Sequence, residues 1–164
     1  MICPGVTGRD CGKPTSDPPV YLIDTNVISA AVPTRPVPAE LVRWMDAHSS
    51  SLFLSVVTVA EIEDGIAKLR REGARRKSSH LASWLETVLH LYGDRVLVFD
   101  APVARIAGAI SDRARGQGHA PGFADIVIGA TAQRHRLTVL SRNTKHFEPL
   151  GVAVLDPFAA LPRK

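Results

Sequence analysis

From Val20 onward, short apolar runs alternate with longer stretches in which apolar residues recur every three or four positions. The short runs predict strands at 20–23 (VYLI), 52–57 (LFLSVV), 95–99 (RVLVF), 137–140 (LTVL) and 152–154 (VAV). The periodic stretches predict helices near 26–31, 37–48, 59–72, 79–92, 101–116 and 124–135. The 79–92 stretch shows its register plainly, with Leu81, Trp84, Leu85, Val88 and Tyr92 on one face and Gly93 placed to end it. Asp100 is positioned to cap the 101–116 helix, and Gly116 and Gly118 to stop it. Strands alternating with helices in this way predict an α/β fold, with a mostly parallel central sheet of about five strands flanked by helices. Residues 1–19 differ: four Pro, three Gly and no apolar period predict a disordered N-terminal extension, leaving 20–164 as the folded domain.

The length of 164 residues and a hydrophobic content of 45% suit a single core. Charged residues at 22% argue against a disordered chain. A net charge of +4 suits a polyanionic or acidic partner without requiring one. Cys3 and Cys11 stand alone near the N-terminus, with no pattern of a zinc site or a disulfide framework. No signal-peptide pattern and no run long enough to span a membrane is visible, so the expected location is the cytoplasm.

Three acids occupy equivalent places in this plan. Asp24 follows the first strand, Glu61 lies in the first turn after the second, and Asp125 opens the 124–135 helix; Asn143 follows the fourth strand. In a parallel α/β sheet the carboxyl ends of the strands share one edge, where such folds bind ligands. Carboxylates gathered there repel one another, and a hard cation such as Mg²⁺ or Mn²⁺ would neutralise them. Such ions activate water and stabilise a phosphodiester under attack. Each acid also has a plain structural reading. Thr58-x-x-Glu61 has the form of a capping box, and Asp125 suits a helix N-terminus through the macrodipole. Lys68, Arg70, Arg71, Arg75, Arg76 and Lys77 form a basic cluster, either a solvated face or a contact for RNA phosphates or an acidic partner segment. The six His show no metalloprotease spacing, and a surface role is expected for His119 and His146.

The runs YLIDTNVIS, SVVTVAEIEDGI, GFADIVIGATAQRH, TVLSRNTKHF and VAVLDPF, in this order over residues 20–158, resemble the successive motifs of PIN-domain proteins. The resemblance is greatest to the VapC and FitB toxins of type II toxin-antitoxin pairs. It implies a three-layer PIN fold and a Mg²⁺- or Mn²⁺-dependent endoribonuclease. It further implies a homodimer held inactive by a cognate antitoxin, through which alone it would meet promoter DNA. By motif, Asp24, Glu61 and Asp125 correspond to the family's first three acids, as catalytic residues and metal ligands. Asn143 stands where many members carry a fourth acid and offers a neutral oxygen in its place. Ser141, in the same turn, corresponds to a residue that positions water or phosphate, or is a turn-capping hydroxyl. Two other readings stay open: an inactive PIN-fold protein acting with its antitoxin in promoter autoregulation, and a phosphatase or phosphoacceptor domain using Asp24. The second lacks the expected DxD, because residue 26 is Asn.

Overall fold

The computed structural model describes residues 19–32 and 37–162, so all but the last residue of the expected N-terminal extension, and both cysteines, lie outside the described residues. Five strands, β1 (Tyr21–Ile23), β2 (Leu52–Ser55), β3 (Val96–Leu97), β4 (Thr138–Leu140) and β5 (Val154–Leu155), form one sheet in the order β3-β2-β1-β4-β5. Every pairing is parallel. The helices are α1 (Thr25–Ile28), α2 (Ala39–Ala47), α3 (Val56–Arg71), α4 (Arg75–Tyr92), α5 (Ala101–Gly116), α6 (Phe123–His135) and α7 (Thr144–Phe147). Among the described residues, no helix is long and apolar enough to cross a membrane.

Alternation along the strands divides the core into two layers. Ile23 pairs with Leu54 and Leu140, and all three point into one apolar cluster with Ile62 and Ile66 of α3 and Leu85 and Val88 of α4. Leu22 pairs with Val139, and both point to the opposite cluster with Val103 and Ile110 of α5 and Ile126 and Ile128 of α6. Successive strand residues face opposite ways, so a sheet covered on both faces must be apolar at nearly every position. Each aliphatic side chain fully buried this way contributes roughly 1.5–3 kcal/mol. The result is the expected three-layer α/β arrangement. Helix α6 is buried from Ile126 through Ala132, and Gly129 lets it lie close to Leu150, whose Cδ1 would be 3.0 Å from a Cβ at that position. Gly93 ends α4 at φ +47, and the Asp100 carboxylate caps α5 by accepting from the Val103 amide at 3.0 Å.

The boundaries depart from the sequence pattern in ways that matter for the site. The second strand stops at Ser55 rather than continuing to 57, and α3 begins at Val56, three residues before the expected start. Val56, Val57, Thr58 and Val59 have the β-branched character of a strand, but Ser55 takes an extended conformation and its hydroxyl accepts from the Val57 amide at 3.3 Å. Thr58 therefore lies inside the helix, fully buried, with no partner for its hydroxyl among the described residues, and the Thr58–Glu61 capping box does not form. Helix α4 likewise starts at Arg75 rather than 79, which places Arg75, Arg76 and Lys77 in its first turn, just after Lys68, Arg70 and Arg71 in the last turn of α3. All six are exposed, and Lys68 lies 4.0 Å from Glu72. The last strand is Val154–Leu155 rather than 152–154, and α7 is an element that the apolar pattern does not announce.

These assignments give Ser55 and Thr58 opposite roles. Ser55→Ala should lower stability by about 1 kcal/mol through loss of a cap. Thr58→Val, which removes a buried hydroxyl with no partner, should leave stability unchanged or raise it. Thermal unfolding of the two variants measures both, and a loss on Thr58→Val would restore Thr58 as the cap.

Candidate active site

The strand order reverses between β1 and β4, the place in an open parallel sheet where the connections diverge and leave a crevice. Asp24 is the residue after β1 and Ser141 the residue after β4. The Asp24 amide donates to the Leu140 carbonyl at 3.0 Å, continuing the ladder one step beyond β1. Asp24 is buried, 7% exposed, and its carboxylate is held on three sides. Oδ1 accepts from the Thr25 amide at 2.7 Å, which caps α1; Oδ2 accepts from Asn26 Nδ2 and from Ser141 Oγ, both at 2.6 Å. A carboxylate has about four acceptor sites. Oδ2 is thus saturated, while Oδ1 retains capacity for a ligand.

Ser141 is fully buried and its hydroxyl is fully used. It donates to Asp24 and accepts from Asn26 Nδ2 at 3.0 Å and from the Asn143 amide at 2.9 Å. Asn26 ties the same two strand ends together again, its Oδ1 accepting from the Arg142 amide at 3.1 Å. Asn143 enters this network through its backbone, and its exposed side chain makes no hydrogen bond among the described residues.

Glu61 and Asp125 come from the two layers on either side of the sheet. Glu61 lies on the second turn of α3 because that helix starts early, and its Oε2 accepts a short hydrogen bond from Thr25 Oγ1, next to Asp24. Asp125 is the third residue of α6, where the helix dipole favours an anion, and its Oδ2 lies 3.2 Å from His146 Nδ1 on α7. Burial raises the pKa of Asp24 above its ordinary value. The bonds from Ser141 and Thr25 oppose that rise, and the charges of Asp125 and Glu61 add to it. Both acids are therefore close enough for Asp24 to feel them. They form no cage: among the described residues, no three His, Cys, Asp or Glu side chains are gathered closely enough to hold a metal ion. Glu61 is drawn towards Thr25 and Asp125 towards His146. The donor set is all oxygen and anionic, which fits a hard divalent cation.

Two cavities flank the acids. One, about 750 Å³, runs between α3 and α4 from Thr25 and Glu61 past Leu69 and Trp84 to Lys77. The other, about 180 Å³, lies beside Asp125 and is bounded by His119, Lys145 and His146. The motifs single out Asp24, Glu61, Asp125, Ser141 and Asn143. They do not assign Thr25 and Asn26, although both stand in the same motif as Asp24, nor the contact of His146 with Asp125.

This is a doubly wound α/β domain with carboxylates along the carboxyl edge of its sheet. The PIN domain matches the chain over residues 21–150. Toxin FitB of Neisseria gonorrhoeae is 41% identical over 142 residues, covering 85% of this chain and 99% of the relative. VapC ribonuclease Y4jK of Sinorhizobium fredii is 35% identical over 141 residues, covering 85% and 98%. A chain of the solved structure of FitAB bound to an IR36 DNA fragment superposes with a TM-score of 0.72 at 38% identity, covering 85% of this chain and 96% of that one. The chain belongs to the PIN-domain family, among the FitB- and VapC-type toxins.

The raised pKa of Asp24 has a sign that can be measured in metal-free protein. Below the ordinary carboxylate range, the folded and unfolded forms are both protonated and the contribution to stability is fully present. As pH rises through the elevated folded value, a buried charge must be carried beside Asp125 and Glu61, and that contribution is lost. Asp24→Asn should therefore gain stability relative to the unmodified protein as pH increases across this window, read by thermal unfolding in EDTA. Parallel pH profiles for the two proteins would mean that Asp24 carries no such burden.

Proposed function

We propose that the chain is a Mg²⁺- or Mn²⁺-dependent endoribonuclease, the toxin of a VapBC- or FitAB-like pair. The observation that supports this reading is Asp24 at the β1/β4 switch point, buried and opposed by the charges of Asp125 and Glu61. A fold that keeps such an arrangement stores repulsion, and a divalent cation relieves it. When bound, the cation lowers the pKa of a coordinated water and offsets charge on the phosphodiester.

The residues of the chain divide the remaining work. Asp24 and Asp125 would hold the cation, and Oδ1 is the Asp24 oxygen with acceptor capacity left for it. Glu61, held at Oε2 by Thr25, has Oε1 available to ligate or to orient the attacking water and accept its proton. Ser141 and Asn26 fix the Asp24 carboxylate, so its position does not depend on the cation. The attack forms a phosphorus–oxygen bond from water in line with the departing ribose oxygen, which leaves as that bond breaks and takes up a proton. Asn143 adds at most a neutral oxygen, so a second cation would be held less strongly than by a fourth acid.

A small antitoxin is the proposed inhibitor, and promoter DNA is reached only through it. The likeness to FitAB bound to DNA supports this partner. The 750 Å³ groove supports it too, because a segment laid over Ile62, Leu69 and Trp84 would end against Glu61. The proposed assembly of the toxin itself is a homodimer. Asn143 favours one second reading, a weakly active or inactive PIN protein that acts only with its antitoxin in repressing its promoter.

Incubation with RNA separates the readings. The unmodified protein should cleave in Mg²⁺ or Mn²⁺ and stop in EDTA. Asp24→Asn and Asp125→Asn should each lower the rate by at least 100-fold, about 2.7 kcal/mol of barrier at 1.36 kcal/mol per factor of ten. Intact RNA in either metal, together with a complex that still binds its promoter, would favour the second reading.

A further inference from the structure

An acidic centre repels the polyanion it cuts, so the RNA must be held by contacts beyond the cation. The small cavity beside Asp125 has the chemistry for one such contact. Three separate stretches of chain supply it: the turn after α5 brings His119, the start of α6 brings Gly122, and α7 brings Lys145 and His146. Gly122 is the N-cap of α6 and has no side chain to satisfy the first amides of that helix, so backbone donors and the positive end of the dipole add to the charge of Lys145. Asp125 is the one acidic side chain among the lining residues, and its Oδ2 lies 3.2 Å from His146 Nδ1. At about 180 Å³, the cavity is smaller than the roughly 300 Å³ at which sites for drug-sized ligands begin. Its size suits one phosphate group rather than a base with its sugar.

We propose that this cavity is the subsite for an RNA backbone phosphate neighbouring the scissile one, with Lys145 as its cation and His119 as a ring donor. The assignment rests on the ribonuclease reading and deepens it: the substrate is a strand that extends beyond the cleaved bond on the Asp125 side. The six-residue basic cluster around the α3–α4 turn belongs to a different part of the surface and does not supply this contact.

The test uses the full chain carrying Asp24→Asn, so that RNA is bound without being cut, and measures affinity for a single-stranded RNA between about 50 and 200 mM salt. Adding Lys145→Ala should weaken binding about fivefold and reduce the salt slope by about 0.7, the loss of one phosphate contact on a single strand. His119→Ala should weaken binding less, and Lys145→Arg should restore both affinity and slope. Arg134→Ala, at the far end of α6, should leave the slope unchanged. An unaltered slope for Lys145→Ala, in a protein whose unmodified form cleaves the same RNA, overturns the subsite alone. So does a Lys145→Ala effect confined to antitoxin binding, which would give the cavity to an acidic side chain of that partner. Failure of the unmodified protein to cleave RNA in either metal, with no salt-dependent binding, overturns the ribonuclease reading and the subsite together.

Discussion

The bonds that Ser141 and Asn26 make to one oxygen of Asp24, with those that Asn26 makes to Ser141 and Arg142, join the ends of β1 and β4 at the point where the sheet order reverses. They hold a carboxylate that is nearly buried and opposed by two neighbouring acids, a state that desolvation alone would disfavour. Because both donors sit on or beside the strand ends, the position of Asp24 is set by the sheet. Glu61 and Asp125 are then placed around it by the helices packed on the two faces. The apolar alternation that builds three layers is therefore also what brings three separate motifs to one edge.

Much of this is legible in the amino-acid sequence. Runs such as VYLI and LTVL mark the central strands because a parallel strand covered on both faces is apolar almost throughout. The caps at Asp100 and Gly93 are legible because each answers a local backbone need. The start of α3 is not. Ser55 and Thr58 are both good cap residues, and the β-branched residues from Val56 to Val59 have strand propensity, so local chemistry does not choose between them. Packing chooses Ser55, and with it the local explanation of Glu61 as half of a capping box disappears. That outcome strengthens the case for Glu61 as a member of the site, since Thr25 is the partner its side chain finds.

Contacts between distant residues are the least legible. Ser141 stands out through its motif, and the bond it accepts from the Asn143 amide is the turn cap that its position allows; its bonds to Asp24 and Asn26 depend on the juxtaposition of β1 and β4 and carry no local signal. His146 reads as a surface residue. It is indeed half exposed, yet it meets Asp125 across two helices that come together only after the sheet has formed. The family match, over residues 21–150, takes in β1 to β4 and the helices of both layers, which is why motifs and geometry lead to the same edge.

If the three acids form one site for a divalent cation, repulsion held in the metal-free fold must be relieved when the cation binds. Thermal unfolding with increasing Mg²⁺ or Mn²⁺ reads that relief, since a ligand bound only by the folded state at about 100 times its dissociation constant stabilises by about 2.7 kcal/mol. A saturable rise in melting temperature is expected for the unmodified protein, and little or none for Asp24→Asn and Asp125→Asn. An equal rise in all three proteins, or none in any, would contradict a shared cation site.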